Sequence, residues 1–320
     1  RYNLMFQHPI ALTNYSRLMT DIGTSLEHLK IRDLILPEAH NSGVDQEGAG
    51  WPADWWAACQ DDTFAYQLNG GIRALDLRMY GDRSMRRFEH NGYHAHRYLS
   101  GCNIAVDRFT EQNPGEIVIL DFHEVFVGEF AKDALSELLF RIRNRCIPAD
   151  AHDLTIKQIR SRYPGANIVI AWDYPHPLCW KKVHQTWTGQ PDNGAGQIAM
   201  HMDKIWSEPL PTGLWSMFAC GYDTFSGPVR YNSSAIFWEL FFSRVGSDNY
   251  RQPTRGNMIN IAFFVETGAV DKCTNATRAR ASKAAQSVAS HLYITRIGAR
   301  DVQLEWGNPA ETGRLSGYNI

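Results

Sequence analysis

No stretch of this sequence approaches the roughly 18 consecutive apolar residues that a membrane-crossing helix needs, so no span is expected. Cysteine is sparse and dispersed. Cys59, Cys102, Cys146, Cys179, Cys220 and Cys273 include no CxxC pair, which removes the usual structural-zinc ligand sets. Their even number suits disulfides and separate reduced thiols alike. Neither sign of charge prevails: 32 Lys and Arg stand against 34 Asp and Glu, a formal net charge of −2 at pH 7. With no basic cluster and no RNA motif, a nucleic-acid partner is not expected. Repeats and low-complexity segments are missing too. What remains is an ordinary globular composition, 44% hydrophobic and 21% charged, and 320 residues leave room for one large α/β barrel or two domains.

The apolar residues fall into short runs: "DLILP" (33–37), "GIRALDLRMY" (71–80), "EIVILDF" (116–122), "NIVIAWD" (167–173) and "MINIAFFVE" (258–266). Most are near-continuous in Val, Ile, Leu and Phe, as strands buried on both faces of a parallel sheet are. Helical patterns alternate with them. "FAKDALSELLFRIRNRC" (130–146) sets Ala131, Leu135, Leu138, Leu139 and Ile142 on one face, and "SSAIFWELFFSRV" (233–245) reads similarly behind a Ser N-cap. This alternation predicts an α/β fold, a distorted (β/α)8 TIM-type barrel over residues 1–275. Residues 276–290 are polar and alanine-rich, a helix or linker. Residues 291–320 alternate apolar and polar side chains and resemble the opening strands of a fibronectin type III module. They read either as the start of a truncated domain or as a β extension of the barrel. The sequons at Asn14, Asn232 and Asn275, and a start at Arg1 without initiator Met or signal core, make a mature secreted chain the expectation.

Polar residues gather where the apolar runs end. His40 and Asn41 follow the first; Asp76 and Arg78 close "IRALDLR"; His90, His94 and His96 follow in "FEHNGYHAHRY"; Asp121, His123 and Glu124 end "VILDFHE". In a parallel barrel such ends converge on one face, where active sites lie. Asp76 and Arg78, two apart on a strand, point the same way, and Glu124 should point away from His123. An inward Asp–Arg pair is a structural salt bridge or a phosphate clamp in which Arg78 holds the anion bidentately and Asp76 orients a histidine.

Together these residues resemble the X-domain of phosphatidylinositol-specific phospholipase C. "LPEAHNSG" (36–43) is similar to its LPGTHNS motif. "CQDDTFAYQLNGGIRALDLR" (59–78) resembles its second signature at Gln67, Leu68, Gly71, Ile72, Arg73, Asp76 and Arg78, and "EHNG" and "NPGEIVILDF" occupy the next two blocks. The likeness is detailed over about residues 30–125. It departs where Glu38-Ala39 replaces Gly-Thr, where Asn91 separates His90 from its Gly, and where the late aspartate that buttresses the first His is missing, leaving Glu266 as a substitute.

The resemblance implies cleavage of phosphatidylinositol, or a glycosylated form of it, to diacylglycerol and inositol 1,2-cyclic phosphate. His40 would be general base and His90 general acid, with His94 and His96 as alternatives. Asp76 would pair with His90, and Arg78 would stabilise the phosphate. Asn41, His123, Asp203 and Trp206 would contact substrate, with Trp206 stacking on the inositol, while Tyr222 and Asp223 read as an ordinary turn. Trp51, Trp55 and Trp56 would touch the membrane. No metal is expected, because Arg78 stands where calcium-dependent members carry a carboxylate; Ca2+ on Asn41 and Asp76 is the alternative. A monomer working peripherally on an inositol phospholipid surface follows. Two rivals are a metal-dependent phosphodiesterase for another phospholipid and a non-catalytic lipid-binding barrel.

Overall fold

The structure is a computed structural model and describes residues 13–190, 192–222, 227, 256–289, 292–297, 302–308 and 311–314. Eight strands run parallel: β1 (Leu36–Ala39), β2 (Ala74–Gly81), β5 (Val118–Phe126), β6 (Ile168–Ala171), β7 (Cys179–Trp180), β8 (His184–Thr186), β9 (Trp215–Phe218) and β10 (Met258–Ile261). Their spatial order follows the chain, and β10 returns to β1 with Leu36 opposite Met258 and Ala39 opposite Ile261. Among the described residues β7 and β8 do not pair, although only Lys181–Val183 separates them, so the curled sheet is open there. An antiparallel hairpin, β3 (Arg86–His90) and β4 (Tyr93–Tyr98), extends from the C-terminal half of β2. The fold is the expected distorted α/β barrel.

Helices cover the outside: α1 (Leu99–Gln112), α2 (Ala131–Ile142), α3 (Ile156–Arg162), α4 (Ala195–Ser207) and α5 (Ala269–Ala289). The α2 stripe buries Ala134, Leu135, Leu138, Leu139 and Ile142, with Ala131 partly covered. Each of its Leu and Ile side chains contributes about 1.5–3 kcal/mol by leaving water. A capping box starts α3: Gln158 N–H donates to Thr155 Oγ1 and Thr155 N–H to Gln158 Oε1. Behind the sheet, Arg73 and Glu116 are fully buried 2.9 Å apart. Arg73 also donates to the carbonyls of Leu68, Ile72 and Tyr15, and Glu116 accepts from the N–H groups of Met19 and Thr20, so the pair is well satisfied.

The last barrel strand is shorter than its apolar run. It stops at Ile261, and Phe263 enters the left-handed region (φ 47°) before a single turn at Phe264–Glu266. Helix α5 begins at Ala269, before the polar segment expected to form it. Strands β11 (Leu292–Ile297), β12 (Val302–Asn308) and β13 (Glu311–Arg314) make a separate antiparallel sheet. The helix expected over 233–245 lies outside the described residues. All six cysteines are buried free thiols.

Candidate active site

Strand alternation points Glu38 and His40 into the barrel. At Asn41 the chain turns through a left-handed conformation (φ 43°), which Asn tolerates better than most residues. The turn lets Asn41 N–H donate to Asp76 Oδ2 (3.1 Å) and Ser42 N–H to the Asp76 carbonyl (2.9 Å). Two glutamines of the second motif fix the loop from outside. Gln60 Nε2 donates to the His40 carbonyl (2.8 Å), and Gln67 Nε2 to that of Ser42 (2.9 Å). Gly43 is needed for contact: a Cβ there would stand 2.2 Å from the Phe88 ring. The missing side chain lets β3 lie against the His40 loop, and β3 ends at His90.

Asp76 is the hub. Its Oδ2 lies 3.1 Å from His40 Nδ1 and its Oδ1 2.9 Å from His123 Nδ1; Arg78 Nε is 3.6 Å from Oδ1, and Asn260 Nδ2 donates to Oδ2 at 3.3 Å. Burial opposes the charge on Asp76, but His123 and Arg78 outweigh it and hold the carboxyl well below its usual range. The expected pairing of Asp76 with His90 is therefore corrected: its imidazole partners are His40 and His123. The cause is register. The β2–β5 ladder shifts between Asp76, opposite Asp121, and Arg78, opposite Glu124, and this irregularity brings His123 to Asp76. It also turns Glu124 inward, contrary to simple alternation, so that its carboxylate lies 3.6 Å from both His123 Nε2 and Arg78 Nη1. Asp76 thus supports the first histidine, the work expected of a late-strand carboxylate. Glu266's side chain lies outside what is described.

His90 meets His40 edge-on, ring centroids 6.1 Å apart at 85°. Its other face stacks on Trp56 (6.4 Å, 19°), and its Nδ1 lies 2.8 Å from the Ala57 carbonyl oxygen. Burial, helped by the neighbouring His40, pushes His90 down to about 4; burial also lowers His40, against the pull of Asp76. Both imidazoles are therefore neutral at pH 7. His123 is the reverse case: burial alone would lower it, but Asp76 drives it up to about 10, making it a cation. His94 instead stacks on Tyr80 (4.0 Å), and His96 is exposed.

Trp187 is a site residue that sequence reasoning missed. It follows the three-residue β8, 40% exposed, with the Arg78 guanidinium 5.1 Å from its ring and His40 and His123 at 6.0 and 5.7 Å. Its signal was its place at a strand end, hidden because β8 is so short. Below lies a second polar layer. Glu38 accepts from Ser216 Oγ and from Asn260 Nδ2 (2.8 Å), and Asp121 accepts from Gln185 Nε2. Burial and Asp76 raise Glu38 to about 7, and burial and Glu38 raise Asp121, so each of these buried carboxyls is pushed toward its neutral form. Glu38, read as a change in the loop, is in fact a barrel-interior residue.

The remaining candidates are dispersed. Trp51 is 85% exposed, Trp56 faces His90, and the side chain of Trp55 lies outside what is described. Asp203 and Trp206 sit on α4 and not on a loop after a strand. Trp206, 9% exposed, packs into the core, which corrects its expected role as an open stacking face. Tyr222 bridges to Asn193 and donates its hydroxyl to the Gln190 carbonyl (2.8 Å), while Asp223 lies outside the described residues.

No family model matches the chain. Curated relatives include PI-PLC X domain-containing protein 2 of mouse, 25% identical over 233 residues that cover 62% of this chain and 66% of that protein. The human protein of that name is 24% identical over 204 residues, covering 53% of this chain and 65% of the relative. The match thus spans just under two thirds of either protein. Among solved structures, the phosphatidylinositol-specific phospholipase C of Listeria monocytogenes aligns with a TM-score of 0.63 at 15% identity, over 82% of this chain and 99% of that one. That of Staphylococcus aureus gives 0.60 at 13%, over 81% and 96%. At such identities the structural likeness is one of fold. The chain is thus similar to PI-PLC X domain-containing proteins and shares the barrel fold of the bacterial enzymes, in agreement with the strand-end motifs.

Proposed function

We propose that this barrel cleaves the phosphodiester of phosphatidylinositol, or of its glycosylated form, to diacylglycerol and inositol 1,2-cyclic phosphate. Arg78 carries the reading. Its buried guanidinium is 3.6 Å from both Asp76 and Glu124, and neither Nε nor Nη2 makes a hydrogen bond to the described protein. Buried donors of this kind suit a phosphate, and His123 beside them adds a second positive charge.

The vicinal inositol hydroxyl attacks phosphorus within one molecule, which is favoured by high effective molarity. His40 takes that hydroxyl's proton on Nε2, its Nδ1 being paired with Asp76. His90 gives a proton to the departing glycerol oxygen. It is neutral beforehand, and the charge of the incoming phosphodiester anion raises its basicity so that it takes up a proton from solvent. Each proton transfer is worth about 10²–10⁴ in rate. Asn41 and Trp187 border the substrate, and Trp51 meets the bilayer. Asp203, on α4, remains a candidate for an inositol hydroxyl. Calcium is a poor fit. The ion needs six to eight oxygens, whereas both Asp76 oxygens already face imidazoles and two cations adjoin them, so no step passes through it. We also read the chain as secreted and monomeric, with Asn14 and Asn275 exposed and accessible to glycans.

Lipid binding without turnover is the second reading, favoured by the lack of a carboxylate partner for His90 among the described residues. Phosphorus-31 NMR of phosphatidylinositol vesicles with the protein in EDTA separates the two. A cyclic phosphate resonance that disappears in His40→Ala supports catalysis. Silence with EDTA and with added Ca2+, while vesicles are still bound, overturns it. Activity restored only by Ca2+ overturns the metal-free mechanism.

A further inference from the structure

Cys59 takes no part in that reaction, yet its thiol lies between the histidines that do. One ligand atom from each of His40, Cys59 and His90 falls within 4.8 Å of the others. Cys59 Sγ is 3.6 Å from His90 Nδ1. A tetrahedral zinc, with Zn–S about 2.3 Å and Zn–N about 2.0–2.1 Å, keeps its sulfur and nitrogen ligands about 3.6 Å apart. His40 is already turned for ligation: Asp76 Oδ2 stands 3.1 Å from Nδ1, so that Nε2 is the ring nitrogen left for a ligand, the carboxylate–histidine–metal arrangement that orients and strengthens an imidazole ligand.

Asn41 supplies an independent observation. Its amide nitrogen lies 3.4 Å from His40 Nε2 and 3.6 Å from Cys59 Sγ, while its Oδ1 is buried without a hydrogen-bond partner. Rotating the amide by half a turn puts oxygen where nitrogen stands, facing both ligand atoms. We propose that His40, Cys59 and His90, with Asn41 Oδ1 as fourth donor, form a site for a borderline-soft divalent cation, Zn2+ foremost.

Binding requires the Cys59 thiol to lose its proton to solvent and His90 Nδ1 to leave the Ala57 carbonyl. The thiol's contact with the Ala57 carbonyl (3.5 Å) is lost with its proton, and the Asn41 amide turns from donor to ligand. The thiolate cancels one of the ion's two charges. The four ligands come from two loops and the end of β3, so no CxxC-type spacing marks the site in the sequence. If the phospholipase reading holds, an ion here occupies both imidazoles and inhibits turnover.

Cobalt tests the site without substrate. Co2+ titrated into the metal-free full chain should give a thiolate-to-metal charge-transfer band and tetrahedral ligand-field bands, both displaced by Zn2+. Cys59→Ser should lose the charge-transfer band and bind at least tenfold more weakly. His90→Asn should lose the tetrahedral bands, with near-ultraviolet circular dichroism confirming that each variant is folded. An octahedral, thiolate-free spectrum from the wild type overturns the proposal, as does an unchanged spectrum from either folded variant. Because this readout needs no turnover, failure of the phospholipase reading leaves it standing. Should the protein cleave phosphatidylinositol, undiminished cleavage at saturating Zn2+ would overturn the inhibitory role.

Discussion

The charge on His123 has a measurable effect on stability. Its folded value of about 10 lies well above the ordinary value of about 6.5. Between pH 7 and 9 the unfolded imidazole is neutral while the folded one keeps its proton. The group's contribution is complete below about 6.5 and is lost as pH rises through about 10. Over that interval the folded state holds one extra proton, so stability falls by about 1.4 kcal/mol per pH unit, or about 2.7 kcal/mol from pH 7 to 9. Solvent screening takes little from this figure, because the side chain is only 7% exposed. The buried thiols, Cys59 for example pushed up to about 12, steepen the curve further in the upper part of the range. They do so equally in a His123→Asn variant, in which Asp76 keeps Arg78, Asn41 and Asn260 as neighbours. Urea unfolding followed by tryptophan fluorescence at several pH values gives both curves. The wild-type advantage should shrink by about 2.7 kcal/mol over those two units. Curves that stay parallel would show that His123 is not a buried cation and that the account of Asp76 is wrong.

Glu116→Ala should cost about 3–5 kcal/mol in urea unfolding, because it strands the buried Arg73 guanidinium. Gly43→Ala forces a Cβ into Phe88 and should cost about 1–3 kcal/mol, with His90's NMR signals displaced along with β3. Trp51→Ala should weaken binding to phosphatidylinositol vesicles at least tenfold in sedimentation while leaving turnover of a monomeric soluble substrate unchanged. After expression in a glycosylating host, glycosidase treatment should lower the protein's mass; no change would count against glycans at Asn14 and Asn275.

Much of the barrel was legible because its strands are short apolar runs and the polar residues follow where those runs stop. His40, Asp76, Arg78 and His90 were found on that pattern, strengthened by the family likeness. What escaped depended on register. No feature of "VILDFHE" announces that the β2–β5 ladder slips after Asp76, and that slip brings His123 to Asp76 and Glu124 to Arg78. Trp187 escaped because a three-residue strand is too short to show alternation. The end of "MINIAFFVE" was misjudged because composition cannot reveal that Phe263 leaves the extended conformation.

The buried layer around Glu38 and Asp121 bears on how sequences of this kind can vary. Two carboxyls and their amide and hydroxyl donors, Gln185, Ser216 and Asn260, come from five different strands. None can be exchanged alone without leaving a buried polar group unpaired. Where a similar sequence carries the motif's Gly in place of Glu38, Asp121 loses a neighbouring carboxyl that adds to the effect of burial on it, Ser216 loses its acceptor and Asn260 one of its two. These five positions should therefore change together across an alignment of X-domains, a correlated set separate from the histidines above it.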